Sequence, residues 1–443
     1  MPVSRTGSDA GTLGWAASRV IGLLAAGLAL SLVSAWVYAS YFRIDVVGSL
    51  IWPGSDGYCI EGSQSLGVHC FSDLSQFLLL GETMDPENSN PFIRNYPPIN
   101  RTIFWVFQMI AVHMGYGLSV GIYVALSAAC LLTPAIWAVR GRPWPQQVLV
   151  VALTGVATYP FLAAIDRGNN IALAVPFILL AVVALQRGTS IGVVVGIVGA
   201  SQIKPQFGAL VLALLVVRRF RVAAITIAVG IGVFLASFLL VVLSRPALNP
   251  LQEFKDFILY TRFYDQYLPL DASYPPNASF GHLLALVNGG IGGSRLSETQ
   301  IQLLVALVVL LFLALIVWRG QSLPIAVWFP AILMAISLTP AISFAYYLAG
   351  ALIIVALLIK EPFSSQIDAA PVLLRWLLTI AVVVSLIPLL ISLGAAQAPV
   401  PVMGDGVVVS LMPRVAAVMW GVYLVAVAIT AMQAGRRLPA AVD

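Results

Sequence analysis

Long apolar runs restrict what this chain can fold into more than any other feature of its sequence. They recur along the whole length, and most approach the roughly 17–25 residues that a helix needs to cross a bilayer. Charged residues make up 9% of the chain and hydrophobic residues 60%, whereas soluble domains carry about 25% charged residues. We therefore predict an all-α, polytopic integral membrane protein. The run at 15–41 is too long for the apolar core of a signal peptide and is predicted to be the first membrane helix.

The apolar runs predict about twelve crossings within a single transmembrane domain that covers residues 1–443. The predicted crossings are 15–41, 118–139, 146–163, 170–186, 189–204, 206–217, 222–244, 301–318, 322–338, 342–359, 372–395 and 413–434. Two large hydrophilic segments, at about 42–117 and 245–300, are predicted to be loops on the outer face.

Basic residues orient these crossings. They mark junctions on one side, which the positive-inside rule assigns to the cytoplasm: 140–142, Arg187, 218–221, Arg319, Lys360, Arg375 and 435–437. Both termini are then cytoplasmic, and the net charge of +5 reflects this bias rather than nucleic-acid binding. To keep 140–142 inside, the segment 97–116, which carries Arg101, Gln108 and His113, is predicted to be a juxtamembrane or re-entrant helix on the outer face.

The polar motifs concentrate on the predicted outer face, and the first of them contains Asp73. This residue opens "DLSQFLLL", an amphipathic stretch that can lie flat on the membrane surface. One interpretation is an acid at the start of a helix, where the helix dipole favours it. The other is a carboxylate held at the membrane interface for chemistry.

Two further outer motifs carry charge. "DRGNN" at 166–170 is either an interfacial anchor with an asparagine capping the next helix or a polar lid over a charged head group. "IKPQ" at 203–206 places Lys204 between apolar stretches, where a lysine either snorkels to the interface or binds a phosphate. Arg167 and Lys204 reach the same face from adjacent hairpins, and two cations there suit an anionic lipid phosphate.

Cysteine and histidine offer fewer signals. Cys59 and Cys70 share one hydrophilic segment and could form a disulfide if that segment faces an oxidising compartment. His282 stands alone in the second outer loop, where a structural role is the simpler interpretation. The sequence has no CxxC motif or histidine-rich cluster that would indicate a structural metal.

In this order the motifs resemble glycosyltransferase family 87, which belongs to the GT-C class and uses polyprenyl-phosphate sugars. The resemblance covers roughly residues 70–350. Its matching positions are Asp73, the "YPP" at Tyr96, Pro97 and Pro98, the "DRGN" at 166–169, the "KP" at Lys204 and Pro205, the "NAS" at 277–279, and Pro340 and Ser343 followed by Tyr346 and Tyr347.

The resemblance implies transfer of a sugar from a polyprenyl-phosphate donor to a hydroxyl of a glycolipid or cell-envelope glycan. The site would lie on the extracytoplasmic face of a bacterial plasma membrane. Asp73 is assigned as general base, and Lys204 and Arg167 are assigned to the donor phosphate. One base with direct displacement implies inversion at the anomeric carbon. The remaining substrate-positioning candidates are Asn169, Tyr96, Asn277, Ser279, Ser343 and Tyr346.

The transferred sugar stays open at this point. Mannose is the expected sugar, but tyrosine stands where mannosyltransferase members of the family carry a late histidine, and arabinofuranose is the alternative. No cofactor is implied, and the metal requirement is open. A flippase or transporter for lipid-linked sugars is the main rival, and a polymerase of lipid-linked oligosaccharides is a third possibility. Helix interiors nearly free of charge favour the transferase, because transporters place polar residues at mid-membrane.

Overall fold

A computed structural model of the protein describes the chain at 14–42, 73–74, 78, 97–243, 251, 254–255, 278–290, 296–340, 343, 345–389 and 412–436. Every regular element in those ranges is helical, which confirms the all-α prediction. The first nine helices are α1 Trp15–Phe42, α2 Pro98–Met114, α3 Tyr116–Val139, α4 Trp144–Val151, α5 Tyr159–Arg167, α6 Ile171–Arg187, α7 Ser190–Ile203, α8 Val211–Val216 and α9 Phe220–Leu243. The others are α10 Phe280–Gly290, α11 Glu298–Arg319, α12 Ile325–Leu338, α13 Gly350–Ile359, α14 Phe363–Asp368, α15 Val372–Leu386 and α16 Met412–Arg436.

Shorter elements link some of these helices. A π-helical turn at Ala152–Val156 follows α4, and 3-10 helices occupy Pro205–Leu210, Gly320–Ser322 and Ala345–Ala349. The π turn and the break after it bend the chain by 58° between α4 and α5.

Each predicted crossing corresponds to an apolar helix in the described part of the chain. Five helices there are long and apolar enough to cross a membrane, namely α1, α3, α9, α11 and α16, and the bent pair of α4 and α5 makes a sixth candidate. The other predicted crossings coincide with apolar helices of 10–17 residues. The protein is therefore a multi-pass membrane protein, and crossing by every one of the shorter helices stays a prediction.

Two of the shorter helices, α12 and α13, occupy the centre of the bundle. All ten residues of α13 are buried, and α12 is buried from Ala326 to its end at Leu338. The long helices carry most of the exposed large hydrophobic side chains, for example Leu239 and Leu240 on α9 and Leu310 and Leu311 on α11. This distribution places the long helices against lipid and α12 and α13 against protein.

Several of the basic junctions come together in two groups, which agrees with part of the charge pattern. Lys360 Nζ donates to the backbone oxygen of Arg140 at 2.8 Å, and Arg142 donates to that of Ile359 at 3.3 Å. Arg219 donates to the backbone oxygen of Gly188 at 3.0 Å. The opposite ends of the helices that leave these junctions carry the polar motifs.

The segment 97–116 is helical as predicted. α2 ends at Gly115, which has a φ of 103°, and α3 starts at the next residue and packs against α2. One face of α2 buries Asn100, Phe104 and Gln108, while Trp105 on another face is exposed. Whether this 17-residue helix crosses the bilayer stays a prediction.

Candidate active site

Asp73 is buried and held by two side chains from the junction between α5 and α6. Arg167 Nη2 donates to Asp73 Oδ1 at 3.0 Å, and Asn169 Nδ2 donates to Asp73 Oδ2 at 2.5 Å. Asp73 is 9% exposed and Asn169 is fully buried. Both carboxylate oxygens therefore point to partners that the motif "DRGN" supplies.

The turn at Gly168 brings these partners into place. Gly168 has a φ of 63°, in the left-handed region, and closes α5 in a Schellman motif with Asn169 N donating to Ala164 O at 3.0 Å. A Cβ at Gly168 would lie 2.7 Å from the Cβ of Leu74, so the glycine also allows the segment of Asp73 to approach the turn. Asn169 Oδ1 then accepts from Ile171 N at 2.9 Å, which ties the start of α6 to the same side chain.

Lys204 enters the site from the end of α7. It is 8% exposed, interacts electrostatically with Asp73, and places Nζ 5.6 Å from the ring centroid of Tyr347. Asn100 Nδ2 on α2 donates to the backbone oxygen of Ile203 and so holds the last residue of α7. The lysine therefore stops in a buried position instead of extending to the membrane surface.

Burial dominates the electrostatics of the carboxyl group. Removal from water raises the pKa of Asp73 to about 6, while the Asn169 hydrogen bond and the charge of Lys204 both act to lower this pKa. When Asp73 is ionised, its interactions with Arg167 and Lys204 leave a net positive charge among the three groups. Asp166, the neighbour of Arg167, is also buried and interacts electrostatically with Tyr159.

Other predicted residues hold the chain segment that precedes Tyr346 and Tyr347. Ala278 N donates to Ser343 O at 2.6 Å, so the "NAS" segment reaches the chain that follows α12. Ser279 Oγ accepts from His282 N at 3.0 Å near the start of α10, and Ser343 Oγ donates to Ser337 O at 2.9 Å. These contacts give Ser279 and Ser343 structural hydrogen bonds in addition to any contact with a substrate.

Tyr346 is buried, and its ring lies 5.1 Å from that of Tyr347. The two tyrosines lie on the 3-10 helix Ala345–Ala349, which packs against α5 and α6. Tyr96 and Asn277 lie outside the described residues, as do Cys59 and Cys70, so their predicted roles and the predicted disulfide stay predictions.

Sequence reasoning assigned no site role to three neighbours of the cluster: Tyr347, Asn100 and Leu74. Tyr347 is the second tyrosine of a pair in which only the first was chosen, and Asn100 follows the "YPP" motif closely. No pattern marks Leu74, because its contact with Gly168 depends on the tertiary approach of two distant segments. Among the residues that the structure describes, no group of three or more His, Cys, Asp or Glu residues could hold a metal ion.

Comparison with known proteins gives one match. Residues 92–342, more than half of the 443-residue chain, match the model of glycosyltransferase family 87. No curated protein and no solved structure matches the chain.

Proposed function

The chain belongs to glycosyltransferase family 87, and from this premise we propose that it transfers a sugar from a polyprenyl-phosphate donor to a hydroxyl of a glycolipid or cell-envelope glycan. We place the reaction on the extracytoplasmic face of a bacterial plasma membrane. The observation that carries the proposal is the buried cluster of Asp73, Arg167, Asn169 and Lys204 at the end of the bundle away from the basic junctions.

The charge of the cluster supports a phosphodiester donor. A polyprenyl-phosphate sugar carries one negative charge, and Arg167 and Lys204 are the cations of the cluster that can bind it. Cations in a site of low dielectric interact strongly with a phosphate, and arginine and lysine are the residues that bind it best. A nucleotide sugar carries at least two charges and no lipid tail.

The depth of the cluster supports a lipid-borne donor. α7, which delivers Lys204 from the basic end, has 14 residues and is about 21 Å long. The hydrocarbon core of a bilayer is about 30 Å thick. The cluster then lies below the outer head groups, where a phosphate attached to a membrane lipid can reach it.

The proposed chemistry needs one base and one stabilised leaving group. The acceptor hydroxyl gives its proton to Asp73 as its oxygen bonds to the anomeric carbon, and the bond between that carbon and the phosphate oxygen breaks. The polyprenyl phosphate leaves with the electron pair, and Lys204 stabilises its negative charge. Attack from the side opposite the phosphate inverts the anomeric carbon.

Arg167 has a more complex role than the sequence suggests. It binds Asp73 through Nη2, and a guanidinium carries five N–H donors in a rigid fork. We propose that it orients the base with one donor while others face the donor phosphate. Arg167 would thus set the distance between the base and the leaving group.

Mannose is the sugar we favour, with arabinofuranose as the alternative because Tyr346 and Tyr347 stand where a histidine is expected. The test supplies the purified protein in liposomes with polyprenyl-phosphate mannose and polyprenyl-phosphate arabinose in parallel, together with a glycolipid acceptor. We expect an extended glycolipid from one donor, formed far more slowly by Asp73→Asn. Movement of the lipid-linked sugar across the bilayer without extension would identify a flippase and overturn the proposal.

A further inference from the structure

Two neighbouring asparagines at the start of α6 are both buried but differ in hydrogen bonding. Asn169 is fully buried and Asn170 is 1% exposed. Asn169 uses its amide nitrogen on Asp73 and its amide oxygen on Ile171 N. For Asn170, neither the amide nitrogen nor the amide oxygen has a hydrogen-bond partner among the residues that the structure describes.

An unpaired buried amide needs a reason. A donor and an acceptor that lose water and gain no partner destabilise the folded chain, and native proteins contain few such groups. An apolar side chain of similar volume would fill the position at lower cost. Selection for stability alone therefore does not account for asparagine at 170.

Helix capping does not account for it either. Asn170 precedes the first residue of α6, yet its side chain makes no capping hydrogen bond. Its backbone has φ −68° and ψ −8°, which is helical, whereas a capping side chain usually stands on an extended backbone. Asn169 already supplies the hydrogen bond to Ile171 N.

The position of Asn170 favours a ligand. It is adjacent in the chain to the residue that binds Asp73, and α6 packs against α5 and against the 3-10 helix that holds Tyr346 and Tyr347. In the proposed function, on which this inference rests, the transferred sugar lies between the base at Asp73 and the phosphate at Lys204.

We propose that the Asn170 side chain binds hydroxyl groups of the transferred sugar. The amide oxygen accepts from one hydroxyl and the amide nitrogen donates to the same or a neighbouring hydroxyl, so a diol satisfies both buried atoms. A site built to hydrogen-bond a substrate hydroxyl discriminates strongly against an analogue that lacks it, because the protein groups are then left unpaired. Asn170 is thereby a residue that determines which sugar is accepted.

The adjacent asparagines provide a matched pair of variants. Asn170→Leu removes two atoms that have no hydrogen-bond partner among the described residues, so we expect the unfolding temperature of the full-length protein to stay equal or rise. Asn169→Leu removes two formed hydrogen bonds, so we expect its unfolding temperature to fall. With the accepted donor, Asn170→Leu should lower kcat/KM by at least about 100-fold despite its intact fold.

Monodeoxy donors test the contact itself. We expect one monodeoxy analogue of the accepted polyprenyl-phosphate sugar to lose at least about 100-fold in kcat/KM with the wild-type protein. Asn170→Leu should lose little more with that analogue than with the parent donor. Wild-type kcat/KM in Asn170→Leu would overturn the inference. So would a monodeoxy donor that lowers kcat/KM by the same factor in Asn170→Leu as in the wild-type protein.

The two proposals fail separately. If the wild-type protein transfers neither sugar, the proposed function is wrong, and the unfolding comparison still decides on Asn170. A fall in unfolding temperature for Asn170→Leu as large as that for Asn169→Leu would show a structural residue and overturn the inference. A stable Asn170→Leu beside an unstable Asn169→Leu would support a ligand contact.

Discussion

The long helix α9 and the short helix α13 are both almost entirely apolar, but they lie in opposite surroundings. Of its 24 residues, α9 buries only Ala223, Thr226, Ser237 and Val242, whereas α13 buries every residue from Gly350 to Ile359. Facing lipid requires only that a side chain be apolar. Facing protein on all sides requires complementary shape as well, because interiors are packed as densely as organic crystals.

The two kinds of helix also differ in what their ends carry. Asn169 lies just before α6, Lys204 directly follows α7, and Tyr347, which lies beside Lys204, precedes α13. In contrast, α9 starts from the basic junctions and carries no residue of the cluster. The protein thus separates the task of matching the bilayer from that of positioning the chemistry.

The largest expected effect is a loss of turnover when the carboxylate of Asp73 is replaced. Asp73→Asn keeps the shape of the side chain but cannot accept the acceptor's proton, so we expect turnover to fall about 10²–10⁴-fold. Donor binding should persist, but the unfolding temperature should fall, because one of the two oxygens that accept from Arg167 and Asn169 becomes an NH2 donor. Steady-state kinetics and a thermal unfolding curve measure these quantities.

Asp368→Asn is the matched control at the other end of the bundle. Asp368 Oδ1 accepts from Ala16 N at 3.1 Å, a bond that an asparagine oxygen can also accept. We expect wild-type turnover from this variant. Loss of activity in Asp368→Asn with full activity in Asp73→Asn would mean that the reaction takes place at the end of the bundle where Asp368 lies, and would contradict the assignment of Asp73.

The next effect concerns the two lysines at opposite ends of the short helices. Lys204→Met removes a buried charge from the donor phosphate, so we expect donor affinity to fall by about 10–100-fold, the equivalent of a charge-assisted hydrogen bond. Lys360→Met at the basic end should leave donor affinity unchanged. Equal affinities in both variants, measured by donor titration, would mean that Lys204 is an interfacial anchor.

A smaller effect, on the free energy of unfolding, should distinguish a tightly packed helix from a helix that faces lipid. A Cβ at Gly196 on α7 would lie 2.6 Å from backbone atoms of Phe177 and Ala181 on α6, whereas nothing lies within 4 Å of one at Gly232 on α9. Gly196→Ala should therefore destabilise the protein by about 1–3 kcal/mol. Gly232→Ala should be neutral or stabilising by up to about 1 kcal/mol. Equal unfolding free energies in the two variants would contradict the difference between the regions.

The smallest expected effect is a shift in pH dependence. The base must be ionised to work, so kcat/KM for the donor should fall as the pH drops through about 6, the pKa of Asp73. Asn169→Ala removes a hydrogen bond that lowers this pKa, so the acidic limb should move to higher pH. A limb unchanged in Asn169→Ala, measured in the pH–rate profile, would mean that another group titrates.

Much of the fold could be predicted because apolar runs and the positions of basic residues can be read directly from the sequence. Each apolar run became a helix, and Arg140 and Lys360, far apart in the chain, meet at one end as the charge pattern indicates. An apolar run does not reveal whether lipid or protein will surround it, so the division between α9 and α13 was not predictable. The bend after Ala152–Val156 was missed for the same reason, since it depends on packing.

The candidate site was predictable in its residue types and less so in its contacts. The motifs indicated Asp73, Arg167, Asn169 and Lys204, and the structure brings these four together. The pairing of Arg167 with Asp73 could not be foreseen, because it depends on the close approach that Gly168 allows between two segments 94 residues apart. The proposed roles of these residues stay predictions.

The long helices that face lipid have a mechanical consequence for the enclosed helix α13. A bilayer that is thicker or thinner than the protein acts on the helices that touch lipid, which adapt by tilting. α13, enclosed on all sides, receives this stress only through its neighbours, and its length is set by its own sequence. The candidate site should therefore keep a constant distance from the basic end of the bundle, while the layer of lipid above it thickens or thins with the membrane.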